Sequence, residues 1–168
     1  MNRLCALLLI LAGCSRGAPA PATAWDSTAT IRGPGFSLEI PKGATGAMRG
    51  SDSVFWVVGF PECQYICALE VRFADDTMPR TLEAFVAAVR AEDSAAYGPG
   101  PARRFMGIEP GWVVEENCGD CTGAFVFYKG AGTIARVQVT IDDREAHQAQ
   151  LMAHLLKVAG TFRWGETP

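Results

Sequence analysis

Apolar and polar residues alternate along several short stretches of the chain after residue 30, and this period of two is typical of half-buried β-strands. The alternation is clearest where Val137, Val139 and Ile141 are separated by polar residues. Pro41 ends the first stretch, and the turn signal at 129–132 separates the last two. The pattern predicts strands at residues 35–41, 53–60, 67–73, 102–106, 111–116, 123–128 and 133–141.

Two other stretches repeat their apolar residues with the period of a helix. The first begins after Thr81, a residue type that favours the N-cap position, and ends before the Gly/Pro-rich run 97–101. Its apolar stripe consists of Leu82, Phe85, Val86 and Val89. The second helix is predicted from about Asp143 to Val158, because negative charge favours a helix N-terminus. Its stripe consists of Met152, Leu155, Leu156 and Ala159, extended by Phe162.

The predicted elements follow the order β-β-β-α-β-β-β-β-α. Helices separated by a run of strands with short connections indicate the α+β class. We therefore expect an antiparallel sheet of about six to seven strands with two helices packed on it. Residues 31–165 are expected to form a single domain, a length that suffices for one hydrophobic core.

The N-terminus has the pattern of an export signal. Arg3 supplies positive charge, residues 4–11 are apolar, and small residues follow. The apolar run is too short to cross the hydrocarbon core of a membrane, which needs roughly 20 residues. Leu11-Ala12-Gly13-Cys14 then has the form of a lipobox.

This segment resembles the signals of bacterial lipoproteins. The resemblance implies that residues 1–13 are a signal peptide and that Cys14 becomes the first, lipid-modified residue of the mature protein. It also implies a location, since Ser15 rather than Asp follows the cysteine. We expect a lipid anchor in the inner leaflet of the outer membrane and a domain that faces the periplasm. The alternative is an ordinary signal peptide with an incidental cysteine.

Residues 14–30 are expected to comprise the lipidated cysteine and a flexible tether. They are rich in Ala, Pro, Ser and Thr and show no apolar periodicity. Trp25 is the one large apolar residue among them. The sequence leaves open whether Trp25 docks on the domain or rests at the lipid interface.

Three short motifs resemble the PsbP-like fold, which the DcrB family of bacterial lipoproteins shares. They are GFSLEIP at Gly35–Pro41, TLEAFV at Thr81–Val86 and GTFRW at Gly160–Trp164. The resemblance covers about residues 31–164. It implies the fold predicted above and, because known members are mostly non-catalytic accessory or binding proteins, a binding role.

Composition excludes one class of partner. The chain is 49% hydrophobic and 20% charged, as expected for a globular protein, and its net charge is −3. Nucleic-acid binding requires a basic surface. We therefore expect no nucleic-acid partner.

Four cysteines remain when Cys5 in the signal and Cys14 are set aside, namely Cys63, Cys67, Cys118 and Cys121. An even number of cysteines in an exported domain predicts disulfides. Strand counting puts the two turns that carry them at the same end of the domain, so bridges between the turns are sterically possible. Local pairs are favoured, because close neighbours in sequence meet without any assumption about sheet order.

Two functional alternatives use the same thiols. The C-x3-C and C-x2-C turns would suit a zinc site with four cysteine ligands. Cys118 and Cys121 would alternatively form a redox pair, although such motifs usually lie at a helix N-terminus and this one is predicted in a hairpin turn. An oxidising compartment favours structural disulfides, so we expect no metal and no cofactor.

No other motif predicts catalysis. His147 and His154 lie on the last helix at a spacing unlike that of zinc-binding pairs, and the acidic pairs at 75–76 and 142–143 offer too few ligands for calcium. No P-loop, G-x-S-x-G or H-E-x-x-H motif occurs. The sequence therefore predicts a protein that is not an enzyme and has no catalytic residues.

The turn between the second and third predicted strands is the candidate contact loop. Its exposed-looking residues are Phe60, Glu62, Gln64 and Tyr65, held by a predicted disulfide. We expect a lipoprotein whose domain binds another envelope protein. The alternatives are an immunity or inhibitor lipoprotein that neutralises a secreted toxin in the periplasm, and a metal or redox protein that uses the four cysteines.

Overall fold

The computed structural model describes residues 24–49, 54–73, 101–117 and 119–165, and also residues 81, 83, 84, 87, 88 and 91. These residues form two antiparallel sheets with a helix packed against them. The predicted α+β class and antiparallel architecture are therefore confirmed.

The larger sheet has the spatial order β3-β4-β5-β9-β8-β7-β6. Its strands are β3 (Thr45–Arg49), β4 (Val54–Val58), β5 (Cys67–Phe73), β6 (Arg103–Met106), β7 (Pro110–Asn117), β8 (Cys121–Lys129) and β9 (Ile134–Asp142). Consecutive strands form hairpins on each side. The two sides are joined by β5 and β9, which pair from Cys67 opposite Ile141 to Phe73 opposite Ala135.

The smaller sheet consists of β1 (Thr28–Gly33), β2 (Phe36–Pro41) and β10 (Arg163–Trp164), with β2 in the middle. Phe36, Leu38 and Ile40 alternate along β2 and are buried against the rest of the core. The sequence pattern misses β1 and β3 because both are edge strands with mainly exposed residues. It also misses β10, which has only two residues.

The predicted tether ends too late in the sequence. Thr28, Ala29 and Thr30 were assigned to it, but they pair with β2 from Pro41 to Glu39. The backbone N–H of Lys42 also donates to the carbonyl of Ser27 at 2.7 Å. Backbone pairing fixes these residues, but their side chains are exposed. The composition of the segment therefore does not indicate that it forms a strand. Residues 14–23 lie outside the described residues.

The C-terminal helix, α1, spans Gln148–Ala159 and begins later than predicted. Asp142 ends β9, and Asp143 lies in the turn before the helix, so neither carboxylate caps its N-terminus. The buried residues are Leu151, Leu155, Val158 and Ala159, whereas Met152 and Leu156 are half-buried. The buried face of α1 is therefore rotated by about one residue from the predicted apolar stripe. No helix in the described part of the chain is long and apolar enough to span a membrane.

The predicted first helix is described only at scattered positions. Residues 83, 84, 87, 88 and 91 are helical. The Thr81 hydroxyl accepts a hydrogen bond from the backbone N–H of Ala84 at 3.2 Å, which confirms the predicted N-cap. The predicted apolar stripe of this helix lies outside the described residues.

Tyr128 and Phe162 connect the two sheets and the helix. Their rings stack at a centroid distance of 4.5 Å, and Phe162 also stacks on Phe36 of β2. The buried Tyr128 hydroxyl donates to the carbonyl of Ala159 at 2.7 Å, at the end of α1. Burial raises the pKa of Tyr128, with a smaller contribution from Glu109. The hydroxyl therefore stays protonated and remains a donor.

Candidate functional site

The loop at residues 59–66 leads from β4 into β5 and lies at one end of the larger sheet. Register places Cys67 opposite Ile141 and Cys121 opposite Asp142, so the loop and the β7–β8 turn lie on either side of the end of β9. The prediction that both cysteine turns lie at the same end is therefore confirmed. We call this region the cystine end: the loop 59–66, the turn 119–120 and the turn 142–147.

A disulfide joins Cys63 to Cys67, with the Cα atoms 6.0 Å apart. This is one of the local pairs that the sequence favours. Bridges between the two turns are excluded for these cysteines. The physical reason is sheet order, because β9 separates β5 from β8 and two strand spacings amount to about 10 Å, beyond the reach of a disulfide. Cys121 is also disulfide-bonded, whereas Cys118 lies outside the described residues, so its pairing stays a prediction.

A buried carboxylate holds the same loop from the other side. Glu145 is 5% exposed and lies in the turn before α1. Its Oε2 accepts a hydrogen bond from the backbone N–H of Gln64 at 3.0 Å, and its Oε1 accepts a short one from Tyr65. The carbonyl of Ile66 accepts a bond from the backbone N–H of Asp142 at 2.9 Å. The loop is therefore fixed by a covalent bond and by three hydrogen bonds to a distant part of the chain.

Glu145 also bears on the metal alternative. Its carboxylate lies within 4.8 Å of the sulfur atoms of both Cys63 and Cys67. The two sulfurs are bonded to each other, so they offer no thiolate to a metal. In the oxidised protein these residues clamp a loop, and the zinc alternative would require the disulfide to be reduced.

An ion pair flanks the loop. The Arg144 guanidinium donates to Asp142 at 2.7 and 2.8 Å and lies over the ring of Tyr65, 4.5 Å from its centroid. Hydrogen bonds from the Arg144 side chain, and then from its backbone, lower the pKa of Asp142 to about 2. The same contact raises the pKa of Arg144. The Arg144 guanidinium thus packs against one face of the Tyr65 ring.

The fixed loop leaves apolar side chains in solvent. Tyr65 is 51% exposed and Ile66 is 55% exposed, and Glu62 and Gln64 are exposed beside them. Exposed aromatic and aliphatic residues on a rigid loop are typical of protein contact surfaces. Of the predicted contact residues, Glu62, Gln64 and Tyr65 are exposed, and their contact role stays a prediction; the sequence pattern does not single out Ile66.

Phe60 is not part of this surface, which corrects the prediction. It is 4% exposed and stacks on Trp25 at a centroid distance of 5.9 Å. Trp25 is itself buried and stacks on His154 of α1 at 4.6 Å. The sequence could not show this, because the residue that covers Phe60 lies in the segment assigned to the tether. The question left open for Trp25 is answered, since it docks on the domain.

The two histidines lie in different environments. His154 is half-buried under Trp25, whereas His147 is exposed and adopts a left-handed backbone conformation at the start of α1. Asp75 and Asp76 lie outside the described residues. The loop, Glu145 and the Arg144–Asp142 pair therefore lie together. The two histidines do not share a site with each other.

The domain has the PsbP-like fold. The cyanobacterial PsbP protein CyanoP from Synechocystis superimposes with a TM-score of 0.56 at 13% identity, over 88% of this chain and 97% of that one. The Ran-binding protein Mog1p from Saccharomyces cerevisiae gives a TM-score of 0.56 at 12% identity, over 82% and 95%. At these identities the likeness shows the fold alone.

A protein from Bacteroides thetaiotaomicron superimposes with a TM-score of 0.54 at 14% identity, over 82% of this chain. The chain spans about half of that protein, 48% of its length. No protein-family model and no curated protein sequence matches the chain.

Proposed function

We propose that the chain is a lipid-anchored periplasmic protein whose domain binds another envelope protein through Tyr65 and Ile66. The observation that carries the proposal is the exposure of these two side chains on a loop whose backbone is held by a disulfide and by buried Glu145. Binding a partner would order little further backbone, which lowers its entropic cost. The domain acts by binding and carries out no chemistry.

The surroundings of the loop favour a partner of particular chemistry. Glu62, Asp120 and Asp143 are exposed at the cystine end. An apolar pair with acidic neighbours complements an apolar pocket that is rimmed by lysine or arginine. The Ran-binding neighbour Mog1p supports the proposal to the extent that this fold can carry a protein-binding surface.

The anchor is tested by lipid labelling in a bacterial host. The chain is expected to incorporate a palmitate analogue, and Cys14→Ala is expected to abolish the labelling. Cys5→Ala is the matched control, because it removes a thiol from the same signal and leaves the lipobox intact. Labelling that survives Cys14→Ala would overturn the anchor.

The proposed location in the outer membrane is tested by separating the inner and outer membranes by density. The wild-type chain is expected in the outer membrane, and Ser15→Asp is expected to move it to the inner membrane. A wild-type chain found in the inner membrane would contradict the proposed location and leave the anchor itself intact.

The contact loop is tested by placing a photoreactive phenylalanine analogue at residue 65. Met106, which is 83% exposed on β6, is the control position. A single identified envelope protein is expected to cross-link from residue 65 and not from residue 106. The purified partner should then bind Tyr65→Ala at least about tenfold more weakly than wild type, as expected for a hot-spot residue.

The identity of the partner separates the two readings of this surface. An envelope protein of the same cell supports an accessory role. A secreted toxin such as a wall hydrolase would support the immunity alternative. Equal cross-linking from residues 65 and 106, or turnover of an envelope substrate that one substitution abolishes, would overturn the proposal.

A further inference from the structure

A groove lies at the end of the molecule opposite the cystine end. Its position follows from Trp164, whose ring lies 5.9 Å from that of Phe73, the last residue of the strand that begins at Cys67. The groove has a volume of about 620 Å³, and its lining includes Arg32, Gly35, Ser37, Arg163, Trp164 and Gly165. This volume is within the range of pockets that hold small organic molecules. We call it the arginine groove.

Strand register sets three polar side chains in a row along this groove. Arg32 of β1 lies opposite Ser37 of β2, and Arg163 of β10 lies opposite Ser37 from the other side. Phe36 and Leu38 flank Ser37 and are buried, so Ser37 and its partners project from the outer face. Adjacent strands are about 4.8 Å apart, which puts the two arginine backbones about 10 Å apart with the serine between them.

These arginines differ from the other arginines whose side chains the structure describes. Each of the others contacts an acid or a ring: Arg72 and Arg136 contact Glu70, Arg103 contacts Glu115, Arg144 contacts Asp142, and Arg104 lies over Trp112. Arg32 and Arg163 are exposed and have no such partner among the described residues. Two guanidinium groups without an acidic partner in the described part of the chain therefore line one groove.

Glu39 is the acid nearest to them in the register. It lies two positions along β2 from Ser37 and projects from the same face. Its side chain is half-buried and forms no ion pair with either arginine in the described structure. Glu39 can therefore weaken the positive field of the groove without neutralising it.

Glycines allow the chain to pack closely at the turn that lines the groove. Gly165 donates its N–H to the carbonyl of Gly35 at 2.8 Å, and a Cβ on Gly165 would lie 3.0 Å from the backbone of Gly35. Gly35 has φ of 73°, a conformation that glycine adopts without strain. A Cβ on Gly33 would lie 2.0 Å from the ring of Phe36. Close packing of the turn that lines the groove therefore favours glycine at these positions.

We propose that the arginine groove binds a phosphate-type oxyanion carried by an organic molecule. The guanidinium groups of Arg32 and Arg163 bind the anion from its two sides, and the Ser37 hydroxyl donates a further hydrogen bond. The planar fork of arginine matches the geometry of phosphate oxygens, which favours this ligand class over a simple halide. Both a free organic phosphate and a phospholipid headgroup have this chemistry.

The probe for the first source is glycerol 3-phosphate, added to the chain with Cys14→Ala so that no lipid anchor interferes. Amide signals of Ser37, Gly35 and Gly165 are expected to shift in NMR spectra and to saturate at millimolar concentrations. Arg32→Gln with Arg163→Gln should weaken binding at least about tenfold, a change of about 1.4 kcal/mol. Arg103→Gln is the control for charge, because it removes one positive charge from an exposed strand elsewhere.

The probe for the second source is a set of vesicles. A lipid headgroup is identified if the chain cosediments with phosphatidylglycerol vesicles and not with phosphatidylcholine vesicles. The variant with Arg32→Gln and Arg163→Gln should then lose this cosedimentation. Saturable shifts with glycerol 3-phosphate and no vesicle binding identify a soluble organic phosphate. Either result supports the groove.

Two conservative variants keep the test independent of folding. Arg32→Lys preserves the charge and loses the fork, so an intermediate affinity is expected. Glu39→Gln should tighten binding, because it removes the acid that lies nearest in the register of the described strands. The inference is overturned if neither probe binds, if the double variant binds as wild type does, or if Arg103→Gln weakens binding equally. A negative result in the cross-linking test at Tyr65 would leave the inference about the arginine groove unchanged, because the two surfaces lie at opposite ends of the domain.

Discussion

Paired charges fix the loop at the cystine end, whereas exposed charges line the arginine groove. At the cystine end, Glu145 is buried and accepts two backbone N–H groups, and Asp142 holds Arg144. At the groove, Arg32 and Arg163 face solvent without an acidic partner among the described residues. Charges satisfied inside a protein stabilise its structure, whereas exposed and uncompensated charges remain available to a ligand.

The same contrast extends to the surface that each end presents. The cystine end offers Tyr65 and Ile66, which are suited to an apolar pocket on a protein. The arginine groove offers guanidinium groups and a hydroxyl, which are suited to a small anion. Variants of the buried residues at the cystine end should therefore change stability, and variants of the two groove arginines should change binding alone.

The largest effect is expected from Trp25→Ala. Trp25 is buried between Phe60 and His154, and its removal leaves a cavity beside the contact loop. The free energy of unfolding in urea should fall by about 3 kcal/mol.

Trp25→Phe is the control for this variant, because it retains the stacking. The Trp25 Nε1 has no hydrogen-bond partner in the described structure, so phenylalanine loses no bond and should cost less than about 1.5 kcal/mol. An unchanged free energy in Trp25→Ala would show that the packing of Trp25 on Phe60 and His154 does not stabilise the domain.

Glu145→Gln is expected to have the next largest effect. The new amide group cannot accept from both Gln64 and Tyr65 with its single oxygen, so one backbone N–H loses its acceptor. The expected loss of unfolding free energy is about 2 kcal/mol, accompanied by faster hydrogen exchange at these amides. Glu62→Gln removes an exposed charge from the same loop and should change stability by no more than about 0.5 kcal/mol. Equal effects of the two variants would refute the clamp.

A smaller effect is expected at low pH. The pKa of Asp142 in the folded protein is about 2, below its ordinary value of 3.8. The ionised form is therefore stabilised by folding, and this contribution is present above about pH 4 and lost as the pH falls towards about 2. The difference in unfolding free energy between wild type and Asp142→Asn should shrink over that range. A difference that stays constant to pH 2 would show that Arg144 does not stabilise the carboxylate.

The smallest effect on stability is expected from Arg32→Gln combined with Arg163→Gln. Neither side chain has an acidic partner among the described residues, so the unfolding free energy should stay within about 0.5 kcal/mol of wild type. Thermal and urea unfolding both measure this. A loss above about 1 kcal/mol would make the two arginines structural and remove the contrast between the two ends.

Strands in the middle of the larger sheet could be predicted closely from the sequence. The bounds of β5 match the prediction at residues 67–73, because its inward face is Leu69, Val71 and Phe73. β1 and β3 could not be predicted. They are edge strands that pair through their backbones and carry few apolar residues, so they show no alternation.

The candidate site was predictable only in part. Tyr65 and the disulfide between Cys63 and Cys67 follow from local features of a turn. Glu145 was assigned to a helix, and its true role depends on a loop 80 residues earlier in the chain. Phe60 was assigned to the surface because its cover, Trp25, comes from outside the predicted domain.

The α+β class, the central strands and the placement of the cysteines at turns follow from the sequence alone, because each depends on periodicity or on spacing between near neighbours. Four other features emerge only in the folded chain: β5 pairs with β9, Trp25 covers Phe60, Glu145 holds the loop, and Arg32 and Arg163 bracket Ser37. These contacts join residues that are far apart in the chain. No local pattern encodes which distant backbone or charge a residue will meet once the core has packed.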